Sequence, residues 1–256
     1  MKRRYYIAIA LLSYLLFTLA TIPAAPIFEL AKKQARLPVT LYGIEGSLWN
    51  GTADTAIMPS QPPIENISWS LSPAALLLAR LSAEVEGAFK QQPFIGHISL
   101  HADGELHASD VRSQLPASLV QELMSLPLGE LDGDFNLNIE SLAWDRQGLP
   151  VTRAKILWLN AAYTLAETVN LGQVEIVLSP AKDNDLKAVI KNKEGAIAIT
   201  GEALISSNKR FQIDLSFTPN NNATDNIKQS LAMFAKRQPN GSYRLKQTGN
   251  LRNFGL

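Results

Sequence analysis

Apolar residues follow two rhythms along this chain. From Tyr5 to Ile22 they run on without a charge, and after about residue 40 they alternate with polar ones. The first rhythm predicts a helix about 27 Å long at about 1.5 Å per residue, close to a hydrocarbon core of about 30 Å. Lys2-Arg3-Arg4 precede it and favour keeping that end in the cytoplasm, which puts the rest of the chain across the membrane. Lys32, Lys33 and Arg36 flank the far side, partly offset by Glu29, so the bias is modest. A cleaved signal peptide is the competing reading. Its apolar core usually spans only about 7 to 15 residues, and Ala20-Thr21-Ile22 followed by Pro23 and Pro26 makes a poor cleavage site. An uncleaved anchor over residues 5–22 is therefore expected.

The second rhythm has period 2, which predicts half-buried strands. Leu131, Gly133, Phe135, Leu137 and Ile139 share one parity, with Asp132, Asp134, Asn136 and Asn138 on the other. Leu81 to Phe89, Ile197 to Ile205 and Phe211 to Phe217 carry similar stripes, and shorter ones run through Ile67-Trp69-Leu71, Ala154-Ile156-Trp158 and Val174-Ile176-Leu178. Such alternation fits antiparallel sheets with one packed face and one wet face. Strands of roughly 9 to 13 residues exceed the usual 5 or 6, which favours a wide, curved sheet over a compact sandwich. The fold class is thus mainly β: an N-terminal transmembrane helix, then a long-stranded, curved antiparallel sheet with a few short helices. The helices are expected at Phe28–Arg36, Pro73–Ala79, Ala117–Leu126 and Thr224–Arg237. In the last, Ile227, Leu231 and Phe234 share a face and Thr224 is placed to cap it. Pro219 to Asn222 predicts a loop, and Asn240-Gly241 a turn leading into a final strand through Tyr243 and Leu245.

Composition narrows the chemistry. The part beyond residue 40 is long enough to form one β domain or two small ones. The chain has no cysteine, which rules out disulfides, thiol catalysis and thiolate metal sites. Its net charge is +1, from 24 basic and 23 acidic residues, and this gives no general drive toward nucleic acid.

All three histidines lie between residues 97 and 107. His97, His101 and His107 share a parity with Asp103 and Glu105, opposite Ile98, Leu100 and Leu106. On a continuous strand His97 and His101 stand about 13 Å apart, whereas one ion needs its nitrogens at about 2 Å. A tight Asp103-Gly104 hairpin would place apolar and polar side chains on one face, against the alternation. One continuous strand with a bend at Gly104 is expected, carrying a solvated polar face. A metal site would then need partners from other strands, and no metal or other cofactor is expected.

Hydrolase patterns are missing too. Around Ser47 a Gly-x-Ser-x-Gly frame fails, because Trp49 stands where the last glycine belongs. Asp132, Asp134, Asp183 and Asp185 lack a calcium-loop pattern. No catalytic residue is expected. Trp49, Trp69, Trp144 and Trp158 fall in or beside strand patterns, where packing plus one indole hydrogen bond each is expected; the alternative is that some line an apolar groove. Phe135, Leu137, Ile139, Ile197 and Ile199 form the candidate groove or core face.

Two motifs carry a resemblance. Leu41-Tyr42-Gly43-Ile44-Glu45-Gly46-Ser47-Leu48-Trp49-Asn50-Gly51 reads as a glycine-rich turn into a strand. Ile67-Ser68-Trp69-Ser70-Leu71-Ser72-Pro73-Ala74-Ala75-Leu76-Leu77 reads as a strand-to-helix corner. With the leading anchor and the all-β remainder, the chain resembles the type II secretion system protein N family, with Gly43, Gly46, Trp49, Trp69 and Pro73 as motif residues. The resemblance implies a non-enzymatic, single-pass inner-membrane protein, accessory to export of folded proteins across the outer membrane. Its partners would be other secretion components and the membrane itself. The implied layout is a cytoplasmic end at 1–4, an anchor at 5–22, a juxtamembrane linker at 23–40 and a periplasmic β-rich domain at 41–256. A fold-level analogy to AsmA-like envelope proteins supports the alternative function, an envelope protein that binds lipid or another amphiphile in an apolar β groove. The residues give the motifs a physical sense of their own. Gly43 and Gly46 allow positive φ at a bend, Trp49 plugs the end of the next strand, and Pro73 suits the first turn of a helix.

Overall fold

A computed structural model describes residues 2–35, 39–59, 62–76, 78–123, 129–145, 148–164, 167–221 and 223–250. The chain forms two compact units, residues 1–102 and 103–256, and each is built on antiparallel strands.

In the first unit, helix α1 (Lys2–Ala20) and helix α2 (Ala24–Ala35) precede the sheet. Pro26 lies in the first turn of α2, where no N–H is required, so the helix begins four residues before the Phe28 expected from its apolar face. Arg36 lies outside the described residues. Among the described residues no helix is long and apolar enough to cross a membrane. The strands are β1 (Thr40–Tyr42), β2 (Glu45–Gly46), β3 (Asn50–Ile57), β4 (Ile64–Leu71), β5 (Arg80–Phe89) and β6 (Gln92–His101), with the short helix α3 (Pro73–Leu76) between β4 and β5. They pair in the order β1-β3-β4-β5-β6, with β2 also on β3. Ala79, at φ +53, closes the α3 corner. In β5, Leu81, Ala83, Val85 and Gly87 face Leu100, Ile98, Gly96 and Phe94 across the register, while Glu84 faces His97. The polar parity of the histidine stripe is therefore a strand face in β6.

That stripe is not one continuous strand, however. β6 ends at His101, residues 102–105 turn, and the next strand starts at Leu106. Asp103 Oδ1 accepts the Glu105 N–H at 2.9 Å and Gly104 sits at φ +88. Turn chemistry overrides the alternation here.

The second unit contains β7 (Leu106–Pro116), helix α4 (Ala117–Leu123), β8 (Glu130–Trp144), β9 (Val151–Thr164), β10 (Thr168–Pro180), β11 (Leu186–Lys193), β12 (Ile197–Ile205) and β13 (Arg210–Pro219). Helix α5 (Asp225–Phe234), β14 (Lys236–Arg237) and β15 (Tyr243–Asn250) complete it. The strand order is β7-β8-β9-β10-β11-β12-β13-β15-β14. The two last predicted stripes meet residue for residue: Ile199 with Phe217, Gly201 with Leu215, Ala203 with Ile213 and Ile205 with Phe211. The expected helix to Arg237 stops at Phe234, because Lys236 and Arg237 pair with Arg244 and Tyr243 as β14. The turn between them is the expected one, with Gly241 at φ +83.

The register sorts the side chains of this sheet into two faces. Phe135, Trp158 and Val174 stand in one cross-strand row, and Leu137, Ile156, Ile176 and Ile190 in the next. The opposite face carries Lys155 and Lys191 paired with Glu175, Lys187 with Glu202, and Arg244 with Asp214. Helix α5 covers one end of the apolar face. Among the described residues no large side chain is completely sealed from solvent, and Leu137, Ile139, Ile156 and Ile176 are only half-buried.

Candidate functional site: a helix clamp and an apolar groove

The glycine-rich motif of the first unit fastens the end of α1. Gly43 and Gly46 lie at φ +64 and +82, and a Cβ on Gly46 would stand 2.6 Å from the Asn50 carbonyl oxygen, so the bend requires glycine. Past the bend, Leu48 N–H donates to the Ile22 carbonyl at 2.8 Å, and Ser47 bridges Pro23. Trp49 is almost fully buried, and its indole N–H donates to the Leu19 carbonyl at 2.7 Å. That carbonyl lies in the last turn of α1, where intrahelical donors run out. Trp69 holds the same turn from β4: its indole N–H donates to the Leu48 carbonyl at 3.1 Å, and its ring lies where a side chain on Gly51 would be. Pro73 then opens α3, as expected of its missing N–H. The five motif residues are thus gathered around one turn and the corner that follows it.

All four indoles find a backbone carbonyl. Trp144 donates to Gly148 at 3.0 Å and Trp158 to Asp132 at 2.8 Å. Trp158 also lines a groove, so both readings of the tryptophans hold for that residue.

The groove lies in the second unit, between α5 and the apolar face of the sheet. Thr224 caps α5: its backbone is extended, and its Oγ1 accepts the Ile227 N–H at 3.3 Å while donating to Glu167 at 3.1 Å. Asp225 adds a negative charge to the first turn, where the helix dipole favours it, and Lys228 holds its carboxyl below the usual range. Ile227 and Leu231, one turn apart, are buried against Ile197, Ile199 and Tyr243. Phe234 meets Phe217 edge to face, with ring centroids 5.8 Å apart. Beside this contact a cavity of about 490 Å³ opens, floored by Trp158, Val169, Leu171, Ile199 and Phe217. At its mouth Met233 is 88% exposed and Phe234 53%. Among the described residues, its polar lining is confined to Tyr163, Glu167, Asn226 and Ser230.

A bulge makes the floor continuous. Val169 and Leu171 have one parity and Val174, Ile176 and Leu178 the other, and the pairing of β10 with β9 shifts between Asn170 and Val174. Gly172 absorbs the shift at φ +71; a Cβ there would fall on the Lys193 carbonyl. Both stripes therefore share one face.

Of the residues expected at a groove, Ile197 and Ile199 lie under α5 and line the cavity. Phe135 stacks on Trp158, with centroids 5.0 Å apart and planes 15° from parallel, which places it beside the cavity. Leu137 and Ile139 continue the same face opposite Ile156 and Ala154, outside the cavity. Sequence reasoning missed Glu167, Val169, Leu171 and Met233. Val169 and Leu171 carried a signal, a stripe out of phase with its neighbour across a glycine.

On the ionic face, hydrogen bonds from Lys155 and then Lys191, both at 2.7 Å, lower the Glu175 carboxyl from 4.5 to about 2. Arg244 does the same to Asp214, which drops from 3.8 to about 2, with Lys246 assisting at 3.3 Å. These groups are satisfied pairs facing water, not poised acids or bases. Elsewhere, His107 Nε2 lies 2.9 Å from Glu105 Oε2.

The fold and its two sites define a class: a β-sheet protein with a fastened leading helix and an apolar recess. The family profile for type II secretion system (T2SS) protein N matches residues 38–246, and the chain belongs to that family. It is similar to the type II secretion system protein N of Aeromonas hydrophila, at 25% identity over 98% of this chain and 100% of that protein. It is also similar to the protein of the same name from Vibrio cholerae serotype O1, at 23% identity over 82% of this chain and 84% of that one. No solved structure matches significantly.

Proposed function

We propose that this chain is an inner-membrane-anchored, non-enzymatic accessory component of the type II secretion system, with its β units in the periplasm. Family membership supports a role beside other secretion components. The observation that carries the anchor is α1 itself. Tyr5, Ile7, Ile9, Leu11, Leu12 and Phe17 are each more than half exposed, on all sides of the helix. A helix apolar all round needs an apolar surrounding.

The uncharged part of α1, residues 5–20, is about 24 Å long, a few ångströms short of the bilayer core. Local thinning and the flanking basic residues Lys2, Arg3 and Arg4 absorb such a mismatch. The clamp at Trp49 then transmits the position of the anchor to the β-sheet, which suits a scaffold. The alternative, amphiphile binding, is favoured by the cavity beneath α5.

Two measurements test the reading. The full chain should stay in the membrane pellet after alkaline carbonate extraction, with residues 41–256 digested by protease only in spheroplasts whose outer membrane is open. Deletion of its gene should lower export of the folded enzymes that the system secretes. Release by carbonate would end the anchor proposal, and undiminished export would end the accessory role.

A further inference from the structure

We propose that the cavity under α5 binds one alkyl chain of an amphiphile whose head group is zwitterionic or cationic, not anionic. The cavity volume of about 490 Å³ falls within the usual range for small-molecule sites, about 300–1,000 Å³. Its walls are aliphatic and aromatic, and Met233 and Phe234 extend that apolar surface to solvent at the mouth. Exposed large apolar groups at a rim lower the cost of passing a chain from water into the recess.

The choice of an alkyl chain over a polypeptide follows from hydrogen bonding. A peptide entering the groove would bring a donor and an acceptor per residue, each costly to bury unpaired. The floor cannot supply partners: β10, β12 and β13 each pair with a strand on both sides, so their backbone groups are taken. Where the β11–β12 ladder ends, Asn192 takes up the Leu171 and Ile197 carbonyls and the Ile199 N–H. An alkyl chain makes no such demand.

The head group is read from the rim. Among the described residues lining the cavity, Glu167 is the only one with a charged side chain. Among the described residues no Lys or Arg lies within ion-pair distance of it. Its oxygens accept the Thr224 hydroxyl at 3.1 and 3.3 Å. A choline or ethanolamine ammonium complements this carboxylate, whereas a second carboxylate is repelled. The site stands on unit two alone; the inference rests on the amphiphile-binding reading of this cavity and not on the secretion reading.

The test uses the full chain reconstituted in phosphatidylethanolamine–phosphatidylglycerol vesicles. Lysophosphatidylcholine with a diazirine at the end of its chain is added below its micellar concentration, irradiated, and the labelled peptides are sequenced by mass spectrometry. Labelling of α5 and β10 is expected, in addition to background on residues 5–22. Ser230 is an exposed α5 residue that lines the cavity, so Ser230→Trp fills the recess without disturbing the core, and circular dichroism confirms the fold. This variant should cut groove labelling at least fivefold. A diazirine fatty acid should label the groove several-fold less than the choline probe, and Glu167→Gln should narrow that difference. Labelling confined to residues 5–22 overturns the proposal. Groove labelling that Ser230→Trp leaves unchanged marks surface adsorption and overturns it too. A co-purifying polypeptide seated on α5, with no probe captured, replaces the lipid occupant with a protein. Equal labelling by both probes overturns the head-group assignment.

Discussion

Asn192 completes the sheet against Ile199: its side-chain Oδ1 accepts the Ile199 backbone N–H at 2.6 Å, one step past the last regular pair, Lys191 with Thr200. Its Nδ2 donates to the Leu171 and Ile197 carbonyls, both at 2.7 Å, so one carboxamide joins three strands at the floor of the groove. Asn192→Asp turns the donor into an acceptor facing two carbonyls. The expected loss is about 2–3 kcal/mol, against about 1–2 for Asn192→Ala, read from denaturant unfolding by tryptophan fluorescence. Equal stability of the aspartate variant and the parent would show that the bridge is idle.

Glu175 gives a pH dependence with a defined sign. Its folded value of about 2 lies below the ordinary 4.5, so its contribution is complete above about pH 4.5 and fades as pH falls toward 2. Lys155→Met together with Lys191→Met should return the carboxyl toward 4.5 and remove that part of the acid sensitivity. Carboxyl NMR titration checks this. A wild-type midpoint near 4.5 would refute the pairing.

Gly172→Ala should be costly for two separate reasons, a left-handed backbone and a methyl group against the Lys193 carbonyl. A loss of at least about 2 kcal/mol is expected. Gly104→Ala is the control, since a Cβ there meets no atom within 4 Å and only the backbone strain remains. If the two substitutions cost the same, the close approach at Gly172 is not real.

Thr224→Ala removes the α5 cap and the tie to Glu167 at once. About 1 kcal/mol of helix stability should go. Amide hydrogen exchange in Asp225–Phe234 should then rise roughly fivefold, while β12 and β13 stay protected. A rise spread evenly over the sheet would mean that α5 and its floor open as a single body.

Strand positions were legible because one face of each is apolar and the other wet. Ile197–Ile205 and Phe211–Phe217 could be read singly and then found opposite each other. The cap at Thr224 and the glycine bend at Gly43–Gly46 were legible for the same reason, since each rests on local chemistry. Three things were not. The break at Asp103-Gly104 was hidden because an Asx turn competes with alternation within four residues. The bulge at Gly172 reversed a parity, so Val169 and Leu171 looked unrelated to Val174. The third was the placing of α5 over Ile199 rather than over Leu137, because periodicity within a helix does not say which part of a sheet it covers.

Within each unit, nearly every strand pairs with the one before it in the chain. Strands could therefore be added in the order in which they are made, with few distant segments to wait for. Helix α5 arrives after β13, so the recess has its floor laid down before its roof exists. Any greasy molecule present at that moment would meet an open tray, and Asp225–Phe234, following on, would close over it.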